Sequence, residues 1–216
     1  MSQKRIPDAP GRRPMISRDF LLDARRARFA AAAAEIVEEF GLGGASVTNV
    51  VRLGGGSRGS FYEVFPNVGA CLEFGILMAY RRLFEDLGAG TPEDGWAARV
   101  EVAVRTLYGR VAEEPVSAAL YLVHSHAIRT GPERRGPWEG AVALEGLLAA
   151  GRVAAGRRVP DCAEEYWASA VLEKAARALR AGEVAALPGQ AGAMSALAVG
   201  AYLGGPATRS PMPSRD

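Results

Sequence analysis

Ser46-Val-Thr-Asn-Val-Val-Arg-Leu-Gly-Gly-Gly-Ser-Arg-Gly-Ser-Phe-Tyr-Glu-Val-Phe65 is the stretch that decides the fold. It reads as two short helices joined by a glycine turn. Ser57 is a good N-cap for the second, which opens at Arg58. Phe61, Val64 and Phe65 recur at i, i+3 and i+4 and share one buried face. The opposite direction carries Gly59 and Glu63, flanked by Ser60 and Tyr62. Glycine, serine, tyrosine and one acid solvate a surface poorly but suit close approach to a groove. In the helix before it, Ser46 is the N-cap and Val47, Val50 and Val51 form the inner side. Gly54-Gly55-Gly56 supplies the turn, which completes a helix-turn-helix pattern.

The contacts expected of such a unit follow from chemistry. Thr48, Ser57, Arg58, Ser60 and Tyr62 carry donors for phosphate oxygens, with Thr48 near a helix N-terminus that already favours an anion. Gly59 allows the backbone close to the bases, and Glu63 can accept from a cytosine amino group. Gly54-Gly-Gly56-Ser-Arg-Gly59 also satisfies G-x-G-x-x-G. That dinucleotide fingerprint requires a strand before it, and an amphipathic helix stands there instead.

Residues 28–72 resemble the N-terminal domain of the TetR family of repressors. The words that carry the resemblance are Ala34-Glu-Ile-Val-Glu-Glu-Phe-Gly41, Ser46-Val-Thr-Asn-Val-Val51 and, most specific, Ser57-Arg-Gly-Ser-Phe-Tyr-Glu-Val-Phe-Pro-Asn67. Gly54 and Gly56 depart from the family's usual alanine and valine, so a looser turn is expected. Glu63 replaces a common histidine, and Val68 a common phosphate-contacting lysine. The resemblance implies a repressor that binds a palindromic operator in double-stranded DNA as a homodimer. It also implies release by a small-molecule effector.

The rest of the chain supports an all-α fold: an N-terminal three-helix helix-turn-helix domain plus a C-terminal helical ligand-binding and dimerisation domain. Helix periodicity places a first helix over 19–40, with Phe29, Ala33, Ile36, Val37 and Phe40 inward. A fourth follows at 67–87 with Leu72, Ile76, Leu83 and Leu87 inward, and further helices at about 96–112, 115–130, 134–155, 161–181 and 189–203. Asp161 and Glu164 have capping-box spacing. Residues 1–17 read as a flexible basic arm, 18–66 as the DNA-binding domain, 67–203 as the regulatory and dimerisation domain, and 204–216 as a disordered tail.

A chain of 216 residues, 49% hydrophobic and 23% charged, has an ordinary globular composition. Its net charge of +2 is unevenly spread. Residues 1–66 hold ten Lys/Arg against seven Asp/Glu, the asymmetry expected of a DNA-binding end. Cys71 and Cys162 lack metal-ligand spacing, which fits free thiols in a reduced cytoplasm. No signal peptide and no membrane-length apolar run is read, so a cytoplasmic location without membrane contact is expected. His124 and His126 at i and i+2 cannot share a metal as i, i+4 histidines do, and no catalytic constellation stands out. No enzyme activity, cofactor or metal is therefore expected.

Tyr108, Tyr121, His124 and Trp138 combine apolar bodies with polar handles and are candidates for lining an effector pocket. By the resemblance, the last two helices dimerise, with Trp167, Val171, Ala175, Leu197, Ala198 and Ala201 as the candidate seam. The alternative is a helical ligand-binding or interaction protein without sequence-specific DNA binding.

Overall fold

The computed structural model describes residues 17–87, 95–128, 137–153, 155 and 158–203, with the side chains of 137–139 excepted. The basic arm, the loop after Leu87 and the C-terminal tail lie outside the described residues. Among those described there is no strand. The helices are α1 (Arg18–Phe40), α2 (Val47–Gly54), α3 (Arg58–Tyr62), α4 (Val68–Phe84), α5 (Trp96–Glu113), α6 (Pro115–Ala119), α7 (Pro137–Ala149), α8 (Ala163–Ala181) and α9 (Leu187–Leu203).

Side-chain caps start the first four helices, as polar residues before apolar periodic runs should. Ser17 accepts from the Phe20 amide at 3.1 Å, and Ser46 from that of Asn49 at 3.2 Å. Asn67 accepts from the Ala70 amide at 2.8 Å. Ser57 and Ser60 form a reciprocal capping box at α3, each hydroxyl accepting from the other's amide, at 3.1 and 2.9 Å. α1 packs along α2 and α4 to close the first half of the molecule. Phe29, Ala33, Ile36, Val37, Val50, Phe61 and Phe65 are buried there. Phe40 is 64% exposed, so it does not join this core as its spacing suggested.

The second half differs from the periodic reading where packing intervenes. α4 stops at Phe84, because Glu85 turns extended and Asp86 enters the left-handed region at φ 57°, yet Leu87 remains buried. The helix that opens at Pro115 does not run on to residue 130. It changes after Ala119 into one π-helical turn, Leu120–His124. Such turns are rare and cluster at functional places.

The capping box expected at Asp161 and Glu164 does not form. Cys162 stands at the N-cap without a side-chain bond, and Glu164 is engaged elsewhere. Its carboxylate accepts from Arg152 Nε and Nη2, at 2.7 and 2.6 Å, and from the Tyr202 hydroxyl at 2.8 Å. Arg152 also donates to the Val159 and Pro160 carbonyls. This network ties the end of α7, the start of α8 and the end of α9, beside a small core of Val100, Leu148, Val159 and Ala198. Trp96 packs at a tilt against Tyr202, ring centroids 5.0 Å apart, and donates its indole N–H to the Leu147 carbonyl.

α9 packs principally along α5. The stretch Val184–Leu203 is long and apolar enough to cross a membrane by length and composition, which the sequence reading had not found. Its Leu187, Ala191, Ser195, Ala198 and Tyr202 are nevertheless buried against the rest of the chain. Three residues expected at the dimer seam, Val171, Ala175 and Ala198, prove to be inside the protomer's own core at 3%, 0% and 2% exposure. The helical stripe that looked intermolecular is intramolecular. Leu197 is 60% exposed, and Trp167 and Ala201 are half-buried.

Candidate nucleic-acid interface

The turn between α2 and α3 is built around one aromatic ring. Phe29 of α1 is fully buried and lies 5.5 Å from Phe61, centroid to centroid. A Cβ on Gly54 would stand 2.8 Å from Phe29 Cδ1, and one on Gly56 would stand 2.7 Å from Phe29 Cζ. Both are closer than real side chains approach, so these two glycines make room for the ring. Gly55 between them holds φ +65°, where glycine is least strained. The triple glycine is therefore a fitted clasp and not the looser turn expected from the missing alanine and valine.

This clasp sets α3 across α2 with a common exposed surface. Thr48 and Arg58 meet on it, the Arg58 guanidinium donating to Thr48 Oγ1 at 2.7 Å. Tyr62 is 55% exposed, with its ring set edge-on to Phe61 and its hydroxyl unbonded among the described residues. Gly59 is open, with only Ser57 Oγ near the place of a Cβ. Ser60 is placed differently from the expectation of direct phosphate contact, whereas exposed Ser57 Oγ acts in the cap only as an acceptor. Both hydroxyls serve the capping box, and Ser60 Oγ also donates to the Ser57 carbonyl at 2.8 Å, so its single donor is already used.

Glu63 closes the end of α3 and is half-exposed, but it does not stand alone. Arg25 Nη1 donates to its carboxylate, and Arg18 lies 3.9 Å away. Sequence reasoning assigned no role to either arginine. Their seven-residue spacing puts them on one face of α1, a signal that was present. What periodicity could not supply is the partner 38 residues on. Arg25 and Arg18 offset the negative charge that Glu63 would bring to a polyanion and place two guanidinium groups beside α3.

The residues expected to line an effector pocket are not grouped around an opening. Tyr108 is fully buried, donates to the Val171 carbonyl at 3.2 Å, and has its phenol pKa raised by desolvation. Tyr121 is equally buried among Tyr80 and Phe84, and its hydroxyl accepts from the Gly140 amide at 3.1 Å. His124 turns toward α1, with Nε2 3.5 Å from a Glu38 carboxylate oxygen. The Trp138 side chain lies outside the described residues. Cys71 is buried and its thiol is pushed up to about 12 by desolvation, which keeps it unreactive. Among the described residues no group of three or more His, Cys, Asp or Glu could hold a metal ion.

Open space occurs elsewhere. A polar hollow of about 280 Å³ lies between α4 and α5 near Asp86 and Arg110. A larger groove of about 630 Å³ runs between α1, α4 and the α5–α6 junction.

No family model and no curated protein matches this chain. Solved structures do. The fatty acid degradation regulator FadR from Bacillus halodurans superposes with a TM-score of 0.66 at 14% identity, covering 82% of this chain and 95% of its own. A TetR-family regulator from Pectobacterium atrosepticum gives 0.61 at 20% identity, covering 88% and 99%. One from Shewanella sp. PV-4, described as a putative TetR-family transcription regulator, gives 0.60 at 14% identity, covering 82% and 97%.

Proposed function

We propose, starting from a chain that has the fold of TetR-family transcription regulators, that it binds an operator in double-stranded DNA as a homodimer and represses transcription until a small molecule releases it. The observation that carries this reading is the single exposed surface shared by α2 and α3. There Thr48, Arg58, Gly59 and Tyr62 lie together, and the α1 arginines Arg18 and Arg25 flank them. Arg58, Thr48 and Tyr62 anchor phosphates, Gly59 lets the α3 backbone approach the bases, and Glu63 reads or orients from the far end. Ser57 and Ser60 hold α3 in shape.

Arg58→Ala and Tyr62→Ala are expected to weaken binding to every DNA sequence about equally, each by roughly 1–3 kcal/mol, and Arg58→Ala to flatten the salt dependence. Glu63→Ala is expected to change preference at particular base pairs. Selection of genomic fragments on purified protein, followed by binding titrations at two salt concentrations, checks both. A recurrent palindrome supports the regulator. Enrichment of nothing, with unchanged affinity in both Ala variants, sinks it and favours a helical binding protein without DNA specificity.

One recognition helix reads only a few base pairs, so a dimer supplies the second half-site. Its seam is proposed on the exposed sides of α8 and α9: Tyr166 at 67% exposure, Leu197, Ala193, Ala196 and half-buried Trp167 and Ala201. Leu197→Glu is expected to yield monomers in sedimentation and to weaken operator binding. A dimer that survives this substitution unchanged would place the interface elsewhere.

A further inference from the structure

The 630 Å³ groove has a size suited to a small organic molecule. Its floor is apolar. Ala30 and Ala34 come from α1, Gly75 and Met78 from α4, and Val116 and Leu120 from the opposite wall. The mouth is acidic, with Glu35, Glu113 and Glu114 against one cation, Arg82. Arg82 is already paired with Glu114. Glu35 and Glu113 form no ion pair among the described residues, so two carboxylates remain uncompensated beside an apolar wall. Both carboxylates stand exposed at the rim, where water screens them, so the apolar floor supplies most of the attraction and the two acids select the sign of the head group.

We infer that this groove binds a small amphipathic cation, with the apolar body along the alanine wall of α1 and the cationic head between Glu35 and Glu113. An anion of the same shape would meet two bare carboxylates, and a neutral molecule would leave them unmatched. Neither Tyr108 nor Tyr121 lines the groove. It is bounded on one side by α1, which carries the α2–α3 unit, and on the other by Leu120, the first residue of the π-helical turn. The same turn places Tyr121 against α7 and His124 against Glu38 of α1. A molecule wedged between α1 and Leu120 therefore acts on a turn that touches both halves. This regulatory consequence rests on the DNA-binding reading; the binding site does not.

The test is calorimetric titration of the full chain with decyltrimethylammonium below its micelle concentration, with decanoate as the anion of similar length. Far-UV circular dichroism is followed in parallel. Saturable binding of one cation per chain is expected, with decanoate at least about tenfold weaker. Glu35→Gln with Glu113→Gln should weaken the cation about tenfold. Ala31→Trp fills the groove from an exposed position on α1 and should abolish binding. Equal affinity for both head groups overturns the proposal, as do unchanged binding in either variant, no saturable heat, or helix loss during titration. DNA binding is scored separately. Cation binding that leaves DNA occupancy unaltered removes the regulatory role and keeps the site, whereas cation binding in a protein that binds no DNA overturns the regulator alone.

Discussion

Phe29→Ala is expected to lower the unfolding free energy by about 3–5 kcal/mol and to abolish DNA binding. The ring is fully buried, touches Phe61 of α3, and fills the space that Gly54 and Gly56 leave open. Removing it costs transfer free energy and leaves a cavity under the turn that sets α3 across α2. The reciprocal change tests the fit from the other side. Gly54→Ala puts a methyl 2.8 Å from the ring and should cost about 1–3 kcal/mol through overpacking. Combining it with Phe29→Leu should recover part of that loss, because the narrower side chain withdraws the clashing atom. Urea melts of the two single variants and the double variant give the coupling directly. Strict additivity would mean that ring and glycine do not share the space as described.

Glu164→Ala carries the second large effect, a loss of about 2–3 kcal/mol, because it leaves the Arg152 guanidinium and the Tyr202 hydroxyl without their shared acceptor. The pH dependence has a definite sign. The Arg152 hydrogen bonds hold the Glu164 carboxyl below its ordinary value of 4.5, against an opposing desolvation. A lowered folded pKa means that the stabilisation is fully present above about pH 4.5 and is lost as pH falls through the lower, folded value. Wild-type protein should therefore lose stability on acidification in that window, and Glu164→Gln should lose less. Chemical melts at pH 6 and in steps below pH 4.5 check it. Parallel losses in the two proteins would remove Glu164 from the acid response.

These two sites mark where the chain is legible and where it is not. The i, i+3, i+4 pattern found the start of α3 and turned Phe61 and Phe65 inward, although the helix ends at Tyr62 and Val64 is only half-buried, and the valines of α2 oriented its inner side, because these are local statements about one segment. Glu164 looked like half of a capping box for the same local reason. Its actual partners are twelve and 38 residues away, and no spacing rule reaches them. The seam assigned to Val171, Ala175 and Ala198 failed differently. An apolar stripe shows that a face is covered but not whether the covering chain is its own or another copy. Gly54 and Gly56 were read from their missing side chains, when the deciding group was a ring on another helix. Tyr108 and Tyr121 illustrate the remaining limit, since the polar handles that suggest a pocket also satisfy a core.

The helix α3, the recognition helix of the proposed function, spans only five residues, Arg58–Tyr62. A segment of that length has no helical stability of its own, since nucleation is costly and about 12 residues are needed for even marginal persistence in water. Its shape is lent by the Ser57–Ser60 cap and by the anchoring of Phe61. The shape of α3 therefore depends on the continuous core that Phe29 and Phe61 share with α1 and α4, and on the proposed function operator binding fails when that core loosens.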